Sequence, residues 1–340
     1  MKILCMIILF LLLASFVLAE KVIPLPEVLN PNPAFYPLSV NDNNIYITDG
    51  LSILIYSQKD FKLKKRFGKQ GEGPQEFMGY DMQKTVFTSI DSQYIAVDSN
   101  GKLSYYSLDG EYLKEIKIVS GRGVKILDDK FVLYGYDRTG KNIDGSVLIC
   151  NSDLKQSIPV MHFPEFMDNE MIDPLKFRRP QPVIYDHKLF INELEDGVIK
   201  VYDKNGKKLY STEYNYQKLG VTQELKDEIL NIFITDPRIK ENAQYILPRI
   251  RFSKYCPILK GFGVSEKKIY ALTWVRSADK KNSEIIIFNI NGKFIKKVMF
   301  PVFNSNSLEP FPYFFFKDKF YQVVENQDTD IWELHITDIK

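Results

Sequence analysis

Arginine side chains recur in the segments that separate the short apolar runs of this sequence. A guanidinium group presents its N–H donors as a fork that matches carboxylate and phosphate groups. These residues predict a site for an anionic small molecule, a peptide carboxylate or an acidic glycan. The alternative is that they pair with acidic residues on the same segments. The candidates are Arg122, Arg178, Arg179, Arg249 and Arg251, with Lys69 nearby, and the possible acidic partners are Glu76, Glu165, Asp168, Glu170 and Asp173.

Residues that commonly carry catalysis are few and dispersed. The histidines His162, His187 and His335 lie far apart, and no cluster of His or Cys has zinc-ligand spacing. The glycine-rich residues 68–73 lack the Gly-Lys-Ser/Thr ending of a phosphate-binding loop. No Gly-x-Ser-x-Gly motif of a nucleophilic serine occurs. The sequence therefore favours binding over catalysis.

The composition limits the class of partner. The chain has 340 residues, a formal net charge of +2, 45% hydrophobic residues and 14% aromatic residues. A nearly neutral chain is a poor general binder of nucleic acid, which needs a basic face to neutralise phosphates. The hydrophobic content is that of a globular protein with a core, and the aromatic content suits strands. We expect a monomeric globular protein that does not bind nucleic acid.

The first residues predict export. Lys2 precedes an almost wholly apolar run, and Val17 and Ala19 are small residues at cleavage offsets, so residues 1–19 resemble a secretory signal peptide. The apolar run is shorter than the roughly 18 to 20 residues of a membrane span, and no later stretch is long enough. An uncleaved membrane anchor is the alternative. We expect a periplasmic or extracellular protein without a transmembrane segment after cleavage.

One short unit recurs along the chain and predicts the architecture. A hydrophobic residue is followed three residues later by a turn pair, and a second polar turn lies upstream of each copy. Short apolar and aromatic runs bounded by such turns indicate strands in an up-and-down meander. Repetition of a four-stranded unit predicts an all-β, six-bladed propeller over residues 20–340. The copies begin at Tyr56, Tyr106, Ile149, Tyr202, Phe288 and Leu334.

The sixth copy has no room for a fourth strand, because the sequence ends just after its turn pair. Residues 21–25 supply a spare strand upstream of the first unit. We expect this N-terminal strand to complete the last blade and to cover an otherwise exposed edge.

The glycine-rich segment of residues 67–77, Phe-Gly-Lys-Gln-Gly-Glu-Gly-Pro-Gln-Glu-Phe, is similar to the segment that leaves the outer strand of a blade in the NHL and TolB-like propellers. The whole chain from residue 20 resembles the exported bacterial members of that group, although Gln75 stands where the family has Gly. The resemblance implies a six-bladed propeller that is a binder, a scaffold, a lactonase or a lyase. Calcium-dependent lactonases of the group use acidic and Asn ligands around the channel. Asp49, Asp98 and Glu193 follow the second strand in three blades, but aspartate is also an ordinary turn residue, and Thr273 stands at the same place in blade five.

Long connections predict where a ligand would bind. Most of them join the last strand of one blade to the first strand of the next, at residues 68–84, 162–179, 217–260 and 301–312, whereas the other links are mostly short. All of these links leave on one face of a propeller, and loops on a rigid scaffold commonly carry binding sites. Residues 217–258 predict a helical insertion between blades four and five, with Thr222 as a cap and Leu225, Ile229 and Phe233 on one face. Either this insertion is a lid or docking element, or it only packs over the channel end.

These patterns predict an exported module that binds a protein, a peptide or an anionic small molecule on its loop-rich face, without a cofactor. The alternative is a metal-assisted hydrolase or lyase at the channel mouth, for which calcium is the candidate cofactor. A third hypothesis is a structural part of an envelope assembly. Cys150 and Cys256 are expected to be separate buried thiols rather than a disulfide.

Overall fold

The computed structural model describes residues 20–27, 29, 37–73, 75–80, 85–118, 122–139, 142–164, 171–176, 179–193, 196–236 and 239–339. The expected signal peptide at residues 1–19 lies outside the described residues, as do Arg178, Glu165, Asp168 and Glu170.

The described strands form six antiparallel sheets of four strands each, and within five of them the strands pair in chain order. Blade one contains β2 (Leu38–Val40), β3 (Asn44–Asp49), β4 (Ser52–Ser57) and β5 (Leu63–Phe67), and blade two contains β6 (Phe87–Ile90), β7 (Tyr94–Asp98), β8 (Lys102–Ser107) and β9 (Tyr112–Lys117). Blade three contains β10 (Arg122–Leu127), β11 (Lys130–Thr139), β12 (Asn142–Asn151) and β13 (Ser157–Pro164), and blade four contains β14 (Pro182–Tyr185), β15 (Lys188–Asn192), β16 (Ile199–Tyr202) and β17 (Lys208–Ser211). Blade five contains β18 (Leu259–Ser265), β19 (Lys268–Arg276), β20 (Asn282–Asn289) and β21 (Phe294–Pro301), and blade six contains β22 (Tyr313–Phe316), β23 (Lys319–Asn326), β24 (Ile331–Asp338) and β1 (Glu20–Pro24).

The first strand of each blade lies innermost, and neighbouring blades meet through these inner strands. Contacts join β6 to β10, β18 to β22 and β22 back to β2. Six up-and-down sheets in a closed ring form a six-bladed β-propeller. The predicted fold class is therefore confirmed.

The N-terminal strand closes the last blade, as the sequence predicts. β1 runs antiparallel to β24, from Glu20 opposite Thr337 to Pro24 opposite Glu333. The Leu25 amide continues the pairing with a 2.7 Å hydrogen bond to the Trp332 carbonyl. This strand removes the exposed edge that β24 would otherwise present.

Alternation along the middle strands explains how the ring packs. Successive side chains of a strand point to opposite faces of its sheet. In β4, Ile53 and Ile55 enter the cluster shared with blade two. Leu54 and Tyr56, from the same strand, enter the cluster shared with blade six. Both faces of the blade are therefore buried against neighbours, whereas the outer strand β5 is mostly exposed.

Tight turns link the first two strands of several blades. Asp186 and His187, which join β14 to β15, have φ angles of 47° and 59°. Positive φ at both central residues is the requirement of a two-residue type I′ hairpin, which favours polar residues such as Asp. His187 is thus a turn residue, as predicted.

The helical insertion lies between blades four and five. Helix α1 (Gln223–Thr235) begins where the Thr222 hydroxyl accepts a 3.2 Å hydrogen bond from the Leu225 amide, and its C-cap is Asp236. A second helical stretch follows, made of 3₁₀ turns at Lys240–Asn242 and Leu247–Arg249 on either side of α2 (Ala243–Ile246). No helix in the described ranges has the length and apolarity to cross a membrane.

Two hairpins between the second and third strands have long paired strands. Pairing extends to Thr139 and Asn142 in blade three, and to Arg276 and Ser283 in blade five. In an up-and-down blade these hairpins leave on the same face as the inter-blade links. The links between the strands are short, as expected, but the long strands give blade five an extended wall on the loop-rich face.

Cys150 and Cys256 are both buried free thiols, which confirms the preferred interpretation. Burial raises the pKa of each thiol to about 11.

Candidate binding cleft

Two insertions interlock on the loop-rich face. The Ile172 amide donates to the Arg249 carbonyl at 2.9 Å, and the Arg251 amide donates to the Ile172 carbonyl at 2.8 Å. The Asp173 carboxylate accepts hydrogen bonds from the amide and the hydroxyl of Ser253. The link before blade four and the helical insertion therefore form one continuous wall.

Helix α1 is seated on blade five by a small apolar cluster. Ile229 is fully buried there and packs with Leu175, Cys256 and Trp274. Leu225 and Phe233 flank this cluster, as their helical spacing predicts. The seat holds the helix over the extended β19–β20 hairpin rather than over the channel alone.

A cleft of about 230 Å³ remains between α1 and that hairpin. It has room for about seven water molecules, which is the scale of one amino-acid side chain rather than of a drug-sized ligand. Its walls come from the insertion and from blade five, with one residue from the link to blade six. The lining residues are Leu219, Thr222, Glu224, Leu225, Glu228, Lys260, Thr273, Trp274, Arg276, Ser277, Ala278, Lys280, Ser283 and Ser307.

Ion pairs at the cleft tie the helix to the blade. Lys280 Nζ lies 2.5 Å from Glu224 Oε1 and 3.1 Å from Glu228 Oε1. The Ser307 hydroxyl donates to Glu228 at 2.6 Å. This hydrogen bond and the Lys280 ammonium hold the pKa of Glu228 below its usual range.

A buried lysine lies at the base of the cleft. Lys260 is 7% exposed, and its ammonium group donates to Asn304 Oδ1 at 2.5 Å and to the Ser307 carbonyl at 3.3 Å. The same group stands 5.2 Å from the centre of the Trp274 ring, which is cation–π range. Lys260 therefore brings positive charge next to an aromatic floor.

A second lobe of about 130 Å³ continues the cleft on the other side of Leu219 and Trp274. Tyr216 lines it, and its buried hydroxyl has no hydrogen-bond partner among the described residues. Burial raises the pKa of Tyr216, so this hydroxyl is a neutral donor.

The described arginines among those predicted from the sequence do not line the cleft. The Arg179 guanidinium lies 5.5 Å from the centre of the Tyr136 ring. Arg251 is exposed, and its guanidinium donates to the Pro248 and Ile250 carbonyls. Arg249 lies in the 3₁₀ turn of the same wall.

The positions of two other predicted residues, Arg122 and Lys69, do not indicate a binding role. Arg122 begins β10 opposite Tyr134, and its side chain is not described. Lys69 pairs with Glu76 at 2.9 Å, which is the local alternative that the sequence offered. The ligand-binding roles of all six residues stay predictions.

The glycine-rich segment is an inter-blade link and not a phosphate cradle. Glu76 folds back to accept a 3.0 Å hydrogen bond from the Gly73 amide, and the Phe77 amide donates to the Lys69 carbonyl. A Cβ atom on Gly68 would lie 2.4 Å from the Phe77 ring, so glycine is required there. The Glu76 carboxylate of this link is therefore hydrogen-bonded to an amide of the same link rather than to a ligand.

The acidic residues considered as a calcium ring have partners within the protein. Asp98 is fully buried and accepts hydrogen bonds from the Tyr80 hydroxyl and the Val124 amide. Glu193 pairs with Lys200, and Asp49 Oδ2 lies 3.7 Å from the Arg66 guanidinium. Across the described ranges, no group of three or more His, Cys, Asp or Glu side chains is arranged to hold a metal ion.

The histidines have separate local roles. His162 lies within β13, not in a loop as expected, and its Nδ1 is 2.9 Å from the Ser146 hydroxyl. His187 contacts Asp128. His335 joins Glu20 on β1 to Glu333 on its own strand.

Sequence reasoning missed Lys260, Trp274, Arg276 and Lys280. Trp274, Arg276 and Lys280 lie on β19 and its hairpin in blade five rather than on an insertion, and Lys260 lies in β18 although the predicted link of residues 217–260 ended on it. One signal was present: Lys260 is a charged residue within an inner strand that is otherwise apolar or small.

Comparisons with known proteins find only distant structural likeness. No protein-family profile matches the sequence. No curated protein matches it either. Among solved structures, the chain is similar to one in a nidogen/laminin complex, at 11% identity over 75% of each chain with a TM-score of 0.39. It is also similar to the β-propeller domain of Myceliophteria thermophila Cps50 (Swd1), at 8% identity over 95% of this chain and 100% of that chain, again with a TM-score of 0.39. Likeness at this level gives no guide to function.

Proposed function

We propose that this propeller is an exported binding module without catalytic activity, whose ligand occupies the two-lobed cleft between the helical insertion and blade five. The observation that carries the proposal is the open cleft that α1 forms with the β19–β20 hairpin on the loop-rich face. A rigid scaffold with loops gathered on one face is a common arrangement for binding sites.

The character of the cleft supports a protein or peptide ligand. Each lobe has the volume of about one side chain, and both share the apolar residues Leu219 and Trp274. Hydroxyl groups and charged groups surround this apolar centre. Small apolar pockets with polar rims suit the side chains of an extended segment.

The test is selection of peptides from a random display library against the intact protein. Ala278 lines the cleft mouth on the exposed hairpin tip, so A278W should block the cleft without disturbing the core. Selected peptides should lose binding to A278W and keep it to S152W, because Ser152 is an exposed turn residue on the opposite face. Peptides that bind both variants equally would refute the cleft as the binding site.

Export and membership in the NHL and TolB-like group belong to the same proposal. Residues 1–19 have the charged start, the apolar run and the small residues Val17 and Ala19 of a signal peptide. The glycine-rich residues 67–77 form the inter-blade link that the resemblance implies. N-terminal sequencing of protein from its native host should find Glu20 first. An intact Met1 on the native protein would contradict signal cleavage.

A further inference from the structure

A short ribbon forms the outer rim of the cleft. The Val221 amide donates to the Lys254 carbonyl at 3.1 Å, and the Cys256 amide donates to the Leu219 carbonyl at 2.9 Å. Gly220 and Tyr255 are thereby opposite each other as an antiparallel bridge. We call residues 218–221 and 254–256, together with the adjoining Phe252 and Lys226 of α1, the basic ribbon.

Lysine ammonium groups lie over exposed aromatic rings on this ribbon. Lys218 and Lys254 stand 5.6 and 5.3 Å from the centre of the Tyr255 ring, which is 39% exposed. Next to it, Lys226 of α1 stands 6.0 Å from the Phe252 ring. Contact with an aromatic face holds a cation in place without neutralising its charge.

These lysines differ from those that join neighbouring blades by ion pairs, such as Lys64 and Lys268. Within the described residues, Lys218, Lys226 and Lys254 form no ion pair. The nearby carboxylates of Asp173 and Asp227 are held by the neutral donors Ser253 and Gln223 rather than by these lysines. The three ammonium groups are therefore not tied up in ion pairs and can contact an acidic ligand.

The ribbon also has space for a ligand. Gly220 has no atom within 4 Å of the position that a Cβ would occupy, so the surface opposite Tyr255 is open. Leu219 of the ribbon is 38% exposed and lines both lobes of the cleft. An extended peptide that lies along the ribbon would contact the lysine ammonium groups, and one of its side chains could enter an apolar lobe of the cleft.

From this arrangement we propose that the basic ribbon binds an acidic, extended segment of a partner protein, with carboxylates on Lys218, Lys226 and Lys254 and an apolar side chain in the cleft. This inference rests on the proposed function and names its partner class. Charge complementarity selects an acidic partner. The lobes select a peptide over an anionic bilayer, because a flat surface cannot enter them.

The probe is a fluorescein-labelled, glutamate-rich peptide with one central leucine, and its counterpart has glutamine at every glutamate. Anisotropy should show that only the glutamate peptide binds and that added salt weakens it. The triple variant K218Q/K226Q/K254Q should bind about tenfold more weakly, as expected for the loss of several exposed charge contacts. The matched variant K155Q/K207Q/K293Q removes the same charge from exposed positions elsewhere and should bind normally.

A second variant, G220D, places a carboxylate in the open space of the ribbon and should also weaken binding. Equal loss in both triple variants, or equal binding of the glutamine peptide, would overturn the inference. So would lysine-dependent binding to phosphatidylserine vesicles with no binding of the peptide. The two proposals can also fail separately. If the glutamate peptide does not bind, but library peptides bind the wild type and lose binding to A278W, then the partner class is wrong and the cleft proposal stands.

Discussion

The seams between blades and the basic ribbon hold their lysines in different ways. At the seams, lysines pair with acidic residues of the neighbouring blade, as in Lys64 with Asp109 at 3.2 Å and Lys268 with Asp318 at 2.7 Å. On the basic ribbon, Lys218 and Lys254 lie over the exposed Tyr255 ring instead. Charge at the seams joins parts of the protein to each other, whereas these two ammonium groups can contact a second molecule.

The two regions also differ in how they are held. Six clusters of buried side chains belong to the blades. The helical insertion depends on one small cluster around Ile229. Elements with few buried contacts open at lower free energy than the global core. We therefore expect changes in the ring to act on the whole fold and changes in the seat to act locally.

The largest effect should follow deletion of residues 20–28. The deletion removes β1 and the buried Leu25, and loss of one buried leucine alone costs about 2–5 kcal/mol. We expect the free energy of unfolding in urea to fall by several kcal/mol. V22A, which alters an exposed side chain of the same strand, should change little. A truncated protein with the wild-type midpoint would show that the ring does not depend on this strand.

Disruption of the buried cluster around Ile229 should lower stability less than the deletion and should act mainly on the helical insertion. I229A removes a fully buried side chain, for which about 2–4 kcal/mol is expected. Cys256 shares that cluster, so its thiol should react with a disulfide reagent roughly tenfold faster or more. Cys150 lies in the ring cluster of blades two and three and serves as the internal control. Equal acceleration of both thiols would mean that the insertion and the ring unfold together.

The smallest effect concerns pH. The pKa of Glu228 is lowered in the fold, so its contribution is present above the ordinary carboxyl range near pH 4 and is lost as the pH falls through the folded pKa. Its side chain is 36% exposed, so solvent screening limits the contribution to below about 1 kcal/mol. Wild type and E228Q should differ in stability at pH 7 and converge near pH 3. A difference that persists at low pH would assign the effect to packing instead.

The architecture was predictable because its signals are local. Turn pairs such as Asn205 and Gly206 stand at the same place in each unit, and the missing last strand points to the N-terminus. Lys69 and Glu76 are only seven positions apart, so the sequence already offered their ion pair as the alternative to ligand binding by Lys69. The caps and buried face of α1 followed from helical spacing in the same way.

The cleft was not predictable because long-range contacts make it. Lys280 meets Glu228 across 52 positions, and Lys260 meets Asn304 across 44. Trp274 reads as an ordinary apolar residue of a strand until the insertion is placed above it. The arginines were candidates because of their chemistry. The residues that line the cleft, in contrast, are brought together by contacts between distant parts of the chain.

The pairing of β1 with β24 has a consequence for how the protein folds. Its partners, Glu20 and Thr337, are more than three hundred positions apart, so the ring closes through a contact of very large sequence separation. Contacts of large sequence separation slow folding, because the entropy of closing the loop is lost before the contact forms. During synthesis the first strand must wait, unpaired, until the last has emerged. A chaperone that shields this waiting strand would therefore raise the yield of folded protein more than one that acts on any single blade.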